Sequence, residues 1–111
     1  MDYRIEETLI SVESNLAQTL NIQDLAESTN LSISHFQHLF KQEVGKNFTQ
    51  YMKDLRLQKA RELLETSHLR IKEIRVKIGA TDETHFLRDF KQKFGKTPSH
   101  YRRFFRDNRN G

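Results

Sequence analysis

The stretch HFLRDFKQKFGK, residues 85–96, repeats HFQHLFKQEVGK, residues 35–46, with seven of twelve positions identical. Both copies carry apolar residues three and four apart: Phe36, Leu39, Phe40 and Val44 in the first, Phe86, Phe90 and Phe94 in the second. That spacing draws one stripe along an α-helix, with successive residues about 100° apart. Ser34, Gln37, His38 and Lys41 then point away from the stripe in the first copy, and Thr84, Leu87, Arg88 and Lys91 in the second. Gly45 and Gly95 are the residues that stop the two helices.

Outward from the repeat, each copy has similar surroundings. Upstream of the first, Asn21 is an N-cap, with Asp24 three residues on, for a short helix that contains Leu25 and Ala26 and ends near Asn30; Ser32 then caps the repeat helix. Upstream of the second, Ile71, Ile74 and Ile78 make a short helix ending at Gly79, and Asp82 caps the repeat helix. Only a few residues join each pair, which forces the sharp angle of a helix-turn-helix. Asn30 matches Gly79 at a spacing of 49 rather than 50, so the second turn is one residue longer.

Downstream, Asn47 caps a helix running to about Thr66, with Gln50 placed as in a capping box and Phe48, Tyr51, Met52, Leu55, Ala60, Leu63 and Leu64 inward. Thr97 caps the last helix and Pro98 takes its first position, where a missing N–H costs nothing. That helix reads as short, holding Tyr101, Phe104 and Phe105, with the tail DNRNG frayed. A first helix near residues 2 to 18 carries Ile5, Leu9, Val12 and Leu16. The expected fold is therefore all-α: seven helices forming two helix-turn-helix subdomains, residues 1–47 and 68–111, joined by a long linking helix, residues 48–67, in a single unit of residues 1–111.

Composition bounds the function. A chain of 111 residues with no cysteine is short for an enzyme and excludes disulfides, iron–sulfur clusters and cysteine-based zinc sites. No apolar run approaches the roughly 18 residues of a membrane span, and the acidic start MDYRIEE is unlike a signal peptide, so a cytoplasmic chain is expected. The net charge of +4 is unevenly spread: residues 1–30 hold one Arg against six acids, whereas residues 31–111 hold eighteen Lys and Arg against nine acids. The larger part is a cationic surface suited to a polyanion.

Two such motifs in one chain suggest a tandem reader of double-stranded DNA. A lone helix-turn-helix covers half a site, and dimers read half-sites about 34 to 36 Å apart. A linking helix of about nineteen residues is roughly 28 Å long, enough, with the elements flanking it, to hold two recognition helices one turn of duplex apart. The outward residues differ between copies, so the site is expected to be asymmetric.

Ser34, Gln37, His38, Thr84, Leu87 and Arg88 are the candidate base contacts. Gln matches adenine N6 and N7, Arg matches guanine O6 and N7, and Leu87 either meets a thymine methyl or pads the stripe. Lys41, Lys46, Lys91 and Lys96 recur in equivalent places beside the helix starts at Thr49 and Ser99, whose free N–H groups suit phosphates; these six are the candidate phosphate contacts. A protonated His38 would donate to phosphate or guanine, so binding is expected to tighten as pH falls from about 7.5 to about 6. Equal slopes for the wild type and His38→Ala would reject that expectation.

At these residues the chain resembles the AraC/XylS DNA-binding domain. The family's second-motif signature appears as Gly79, Asp82, Thr84, Phe86, Arg88, Phe90, Lys91, Gly95, Thr97, Pro98, Tyr101 and Arg102. The upstream pattern appears as Leu25-Ala26, Phe40-Lys41, Gly45, Tyr51, Arg56, Ala60 and Leu63-Leu64, so the likeness covers residues 5 to 105. Arg75 stands where the family has alanine, Ala80 where it has an aromatic, and Thr84 where it has serine. The resemblance implies a bacterial transcription regulator, most often an activator that contacts RNA polymerase, with the domain commonly ending a longer chain that carries a sensor or receiver domain.

Other patterns compete less well. His35 and His38 lack a third ligand for a metal, and the likeness of His35 to His85, each beside a core phenylalanine, points to a structural role for both. Glu65 and His68 have the E-x-x-H spacing of di-iron bundles without the second pair that site needs. No enzyme activity and no cofactor are expected. Arg56 is free for DNA or held by Glu43 or Asp54, and Tyr51, Tyr101 and the phenylalanines follow the buried stripes rather than forming a base-stacking platform. The alternative function is a helical membrane-surface or protein-docking module, suggested by HYRRFFRDNR, residues 100–109, where aromatics and arginines interleave.

Overall fold

The computed structural model describes residues 1–18 and 21–109. Seven helices follow in order: α1 Tyr3–Ser14, α2 Ile22–Ser28, α3 Ile33–Val44, α4 Phe48–Thr66, α5 Ile71–Ile78, α6 Glu83–Phe94 and α7 Pro98–Arg109; the described residues contain no strand.

The boundaries follow the side-chain chemistry. Asn21 accepts from the Gln23 N–H at 2.7 Å, Ser32 from the His35 N–H at 3.1 Å, and Asp82 from the His85 N–H at 2.9 Å. That last bond, helped by Coulomb attraction to His85, holds the Asp82 carboxyl below the usual carboxylate range. Asn47 and Thr97 accept from the N–H groups of Gln50 and His100. Gln50 does not complete a capping box by this route: its amide donates to Asp54 Oδ1 at 3.1 Å. Gly45 and Gly95 end α3 and α6 with φ of 93° and 83°. A Cβ added at either meets nothing within 4 Å, so glycine is there for the left-handed backbone and not for space. Asn30 adopts φ 59°, a conformation asparagine tolerates better than most residues.

Two boundaries differ from the sequence expectation. The first helix stops at Ser14, where the Asn15 amide donates to the Ser11 carbonyl and the Ser14 hydroxyl to that of Ile10, competing with continued helix. Leu16 is buried nonetheless, carried by the turn. The last helix is not short, since α7 runs through Asp107, Asn108 and Arg109 of the tail; Asn110 and Gly111 lie outside the described residues.

The chain divides into two compact units, Met1–Leu55 and Arg56–Gly111, with the division inside α4. The linking helix is therefore shared: Phe48 and Met52 belong to the core of the first unit, Leu57, Ala60 and Leu64 to that of the second. Leu57 was not among the expected inward residues, because the stripe that starts from Phe48 and Met52 follows the first core.

The two cores share Phe36 and Phe86, Phe40 and Phe90, and Tyr51 and Tyr101 at the 50-residue offset, while Phe48 aligns with Pro98 and Phe94 with Val44. In the first, Phe40 lies 6.0 Å from Phe36, 5.4 Å from Phe48 and 5.5 Å from Tyr51, between ring centroids. In the second, Phe90 lies 6.0 Å from Phe86, 4.7 Å from Phe94 and 5.8 Å from Tyr101. Phe40 and Phe90 are fully buried, and their edge-on contacts with Tyr51 and Tyr101 are a favoured arrangement of aromatic quadrupoles. Tyr51, Tyr101 and most of the phenylalanines thus pack into the cores, as their spacing predicts, whereas Tyr3 and Phe104 are exposed.

Candidate nucleic-acid interface

In the first unit, burial of Phe36 and Phe40 on one side of α3 leaves Ser34, Gln37, His38 and Lys41 exposed on the other. Gln37, His38 and Lys41 line a surface cleft together with Asn47, Phe48 and Thr49 at the start of α4. The outward face of the recognition helix and the N–H groups of the following helix therefore share one concave surface. A backbone phosphate seated there would meet a lysine and the positive end of a helix dipole together.

The second unit repeats the layout with different chemistry. Burial of Phe86 and Phe90 leaves Thr84, Arg88 and Lys91 exposed on α6. The Arg88 guanidinium is 65% exposed and lies 3.5 Å from Asp89 Oδ1, too solvated a pair to hold it. Leu87 does not stand clear of the stripe. It is half-buried against the second core, which leaves only its edge for a base.

Two of the four lysines are engaged. Lys46 Nζ lies 2.9 Å from Asp54 Oδ2, and Lys96 Nζ sits 4.4 Å from the centre of the Phe104 ring. A phosphate would have to draw each from that partner, whereas Lys41 and Lys91 are exposed on the recognition helices themselves. Thr49 and Ser99 are both exposed, in the first turns of α4 and α7.

Several polar residues turn out to be structural. Arg56 is pinned by neither Glu43 nor Asp54: its Nε donates to the Ile78 carbonyl at 3.2 Å, capping the end of α5. Burial lowers its pKa from the ordinary arginine value. Arg102 does the same for α4, donating to the carbonyls of Leu64, Ser67 and Leu69 at 3.2, 3.2 and 2.6 Å. The Leu64 carbonyl is one that the helix end leaves without an intrahelical partner, and those of Ser67 and Leu69 lie in the loop that follows. The Tyr101 hydroxyl donates to the Glu65 carboxylate; burial first, and that bond second, push the phenol up to about 12. Glu65 is thus taken up by Tyr101, and His68 Nδ1 lies 3.1 Å from the Arg106 guanidinium. His35 and His85 are exposed rather than packed beside the core, and His85 Nδ1 lies 3.1 Å from Asp82.

Arg75, which stands where alanine was expected, is mostly buried at 16% side-chain exposure. It reaches over the longer second turn to donate to the Thr81 carbonyl at 3.3 Å, and lies 3.8 Å from Glu83 at the start of α6. Ala80 packs against the second core, with Ile78 and Phe86 as core members beside it. A guanidinium bridge thus ties the turn in a motif whose usual aromatic is missing.

The geometry defines a class: a protein with two helix-turn-helix units, each with its own aromatic core and its own solvent-facing third helix. Known proteins agree. Residues 25–103 match the model of a family described as "Helix-turn-helix domain". The transposon Tn10 TetD protein of Escherichia coli is 36% identical over 99 residues, covering 89% of this chain and 72% of TetD. The arabinose operon regulatory protein of E. coli K12 is 32% identical over 103 residues, 92% of this chain and 35% of the relative. Among solved structures, the DNA-binding domain of AdpA, a global transcriptional factor crystallised with a target DNA, superposes with a TM-score of 0.91. It covers 96% of each chain at 23% identity. The chain belongs to the AraC/XylS family of helix-turn-helix DNA-binding domains. It spans about a third of the length of several curated relatives it matches, at 33%, 32% and 35%.

Proposed function

We propose that this domain binds double-stranded DNA sequence-specifically as part of a bacterial transcription regulator, α3 and α6 entering successive major grooves of an asymmetric site. The supporting observation is duplication with divergence. Both units bury the paired phenylalanines Phe36 and Phe86, Phe40 and Phe90, yet their exposed faces carry Ser34, Gln37 and His38 in one and Thr84 and Arg88 in the other. Conserved cores hold the two probes, and different probes select different bases. Lys41, Lys91 and the starts of α4 and α7 supply phosphate contacts, joined by Lys46 and Lys96 once these leave Asp54 and Phe104.

Family membership favours an activator working in the cytoplasm through RNA polymerase, and the greater length of the relatives favours a sensor or receiver domain in a longer parent chain. Among the described residues no helix is long and apolar enough to cross a membrane. Against the membrane-surface reading, Tyr101 and Phe105 stack within the second unit and Arg102 and Arg106 donate to backbone carbonyls, which leaves Phe104 as the large apolar side chain that α7 exposes.

Duplex titration across a salt series tests the proposal. Each phosphate contact contributes about −0.9 to the slope of log K against log[salt], so Lys41 and Lys91 alone give about −1.8 and all four lysines about −3.6. A slope shallower than the first value, or tighter binding to anionic vesicles than to duplex, would reject it.

A further inference from the structure

Ile33, the first residue of α3, is an apolar side chain left at 41% exposure on an otherwise polar stretch. Its neighbour Leu31 packs against the first core, as do Leu39 and Val44 further along, but Ile33 is not part of that packing. It lies one turn before Gln37 and next to Ser34, in the first turn of the recognition helix, the part that approaches base edges in a helix-turn-helix. The major groove offers one apolar group, the 5-methyl of thymine.

We infer that Ile33 is a specificity-determining residue that covers a thymine methyl within the block read by α3. The inference rests on the DNA-binding reading above and deepens it. At the equivalent place in the second unit stands Glu83, 3.8 Å from Arg75, with no apolar surface to offer. The first block should therefore be sensitive to the thymine methyl through this position and the second should not. Gln37, one turn on, would fix the adjacent base by hydrogen bonds while Ile33 excludes water beside it.

The test uses the whole chain and the duplex it selects from a random pool. Each thymine of that duplex is replaced singly by deoxyuridine, which removes the methyl and nothing else, and binding is titrated for wild type, Ile33→Ala and Glu83→Ala. One replacement in the first block should weaken the wild type about fourfold, the equivalent of one buried carbon at about 0.8 kcal/mol. Ile33→Ala should lose at least as much on the thymine duplex and be indifferent to deoxyuridine at that position; Glu83→Ala should keep the wild-type response. Helicity of each variant by circular dichroism checks that the fold is kept, and the exposed position makes its loss unexpected. Matching deoxyuridine profiles for wild type and Ile33→Ala, or a first block without thymine, would overturn this inference alone. Failure to select any duplex would overturn the DNA-binding reading and this inference with it.

Discussion

Replacing Arg102 with alanine should unfold the second unit far more readily than its place on a half-exposed helix suggests. Its guanidinium donates most closely to three carbonyls at the end of α4 and in the loop beyond, those of Leu64, Ser67 and Leu69, with that of Leu63 further off at 3.5 Å. A hydrogen bond to a charged group contributes about 1.5 to 3 kcal/mol net. Three such bonds do not add in full, because the side chain is only half-buried and water replaces part of what is lost. One to two bonds' worth, about 2 to 4 kcal/mol, is the expected cost. At about 4 to 8 °C per kcal/mol for a small domain, the melting midpoint falls by roughly 8 to 30 °C. Arg102→Lys should recover less than half, since one ammonium lacks the planar fork that spans separated carbonyls. Thermal melts give the size and amide hydrogen exchange the place: α5 to α7 lose protection while α2 and α3, built on their own core, keep it. Arg103→Ala, at an exposed neighbouring position, is the control and should stay within about 0.5 kcal/mol of wild type. An Arg102→Ala protein as stable as that control would refute the capping role.

Other perturbations follow from the same geometry. Phe40→Ala and Phe90→Ala, each emptying the centre of one buried aromatic cluster, should cost about 3 to 5 kcal/mol, and exchange protection should fall mainly in the unit that carries the change. Because the folded-state Tyr101 phenol titrates at about 12 against an ordinary 10.0, its contribution is complete below the unfolded value and lost as pH rises through the folded one. Alkaline unfolding followed by phenolate absorbance should show that loss, and Tyr101→Phe should lack it. Arg88→Ala should relax base preference in one block by about 1 to 3 kcal/mol, whereas Lys41→Ala should weaken all duplexes alike and reduce the salt slope by about 1. Binding titrations on mutated duplexes distinguish the two.

What could be read from the sequence was local. Asn21, Ser32, Asp82 and Pro98 mark helix starts and Gly45, Gly79 and Gly95 mark stops, because capping and left-handed turns depend on residues close in the chain. The solvent-facing residues of α3 and α6 were legible for a related reason: a stripe of buried phenylalanines fixes the opposite face. Leu87 is the exception, its size letting it fold back to the core edge. What was hidden is non-local. Arg56 meets Ile78 and Arg102 meets Leu64 through contacts that no periodicity encodes, and Lys46 and Lys96 look free until Asp54 and Phe104 are brought beside them. The departure at Arg75 gains a physical role only when its guanidinium is seen to bridge the turn to Thr81 and Glu83.

The most direct measurement is the binding site this chain selects from random duplexes, read together with the number of chains per duplex. A single chain should protect one asymmetric site of two unlike blocks centred about one helical turn, roughly 10 base pairs, apart, with Gln37→Ala altering one block and Arg88→Ala the other. A palindrome bound by two chains, or a lone block altered by both substitutions, would contradict the account.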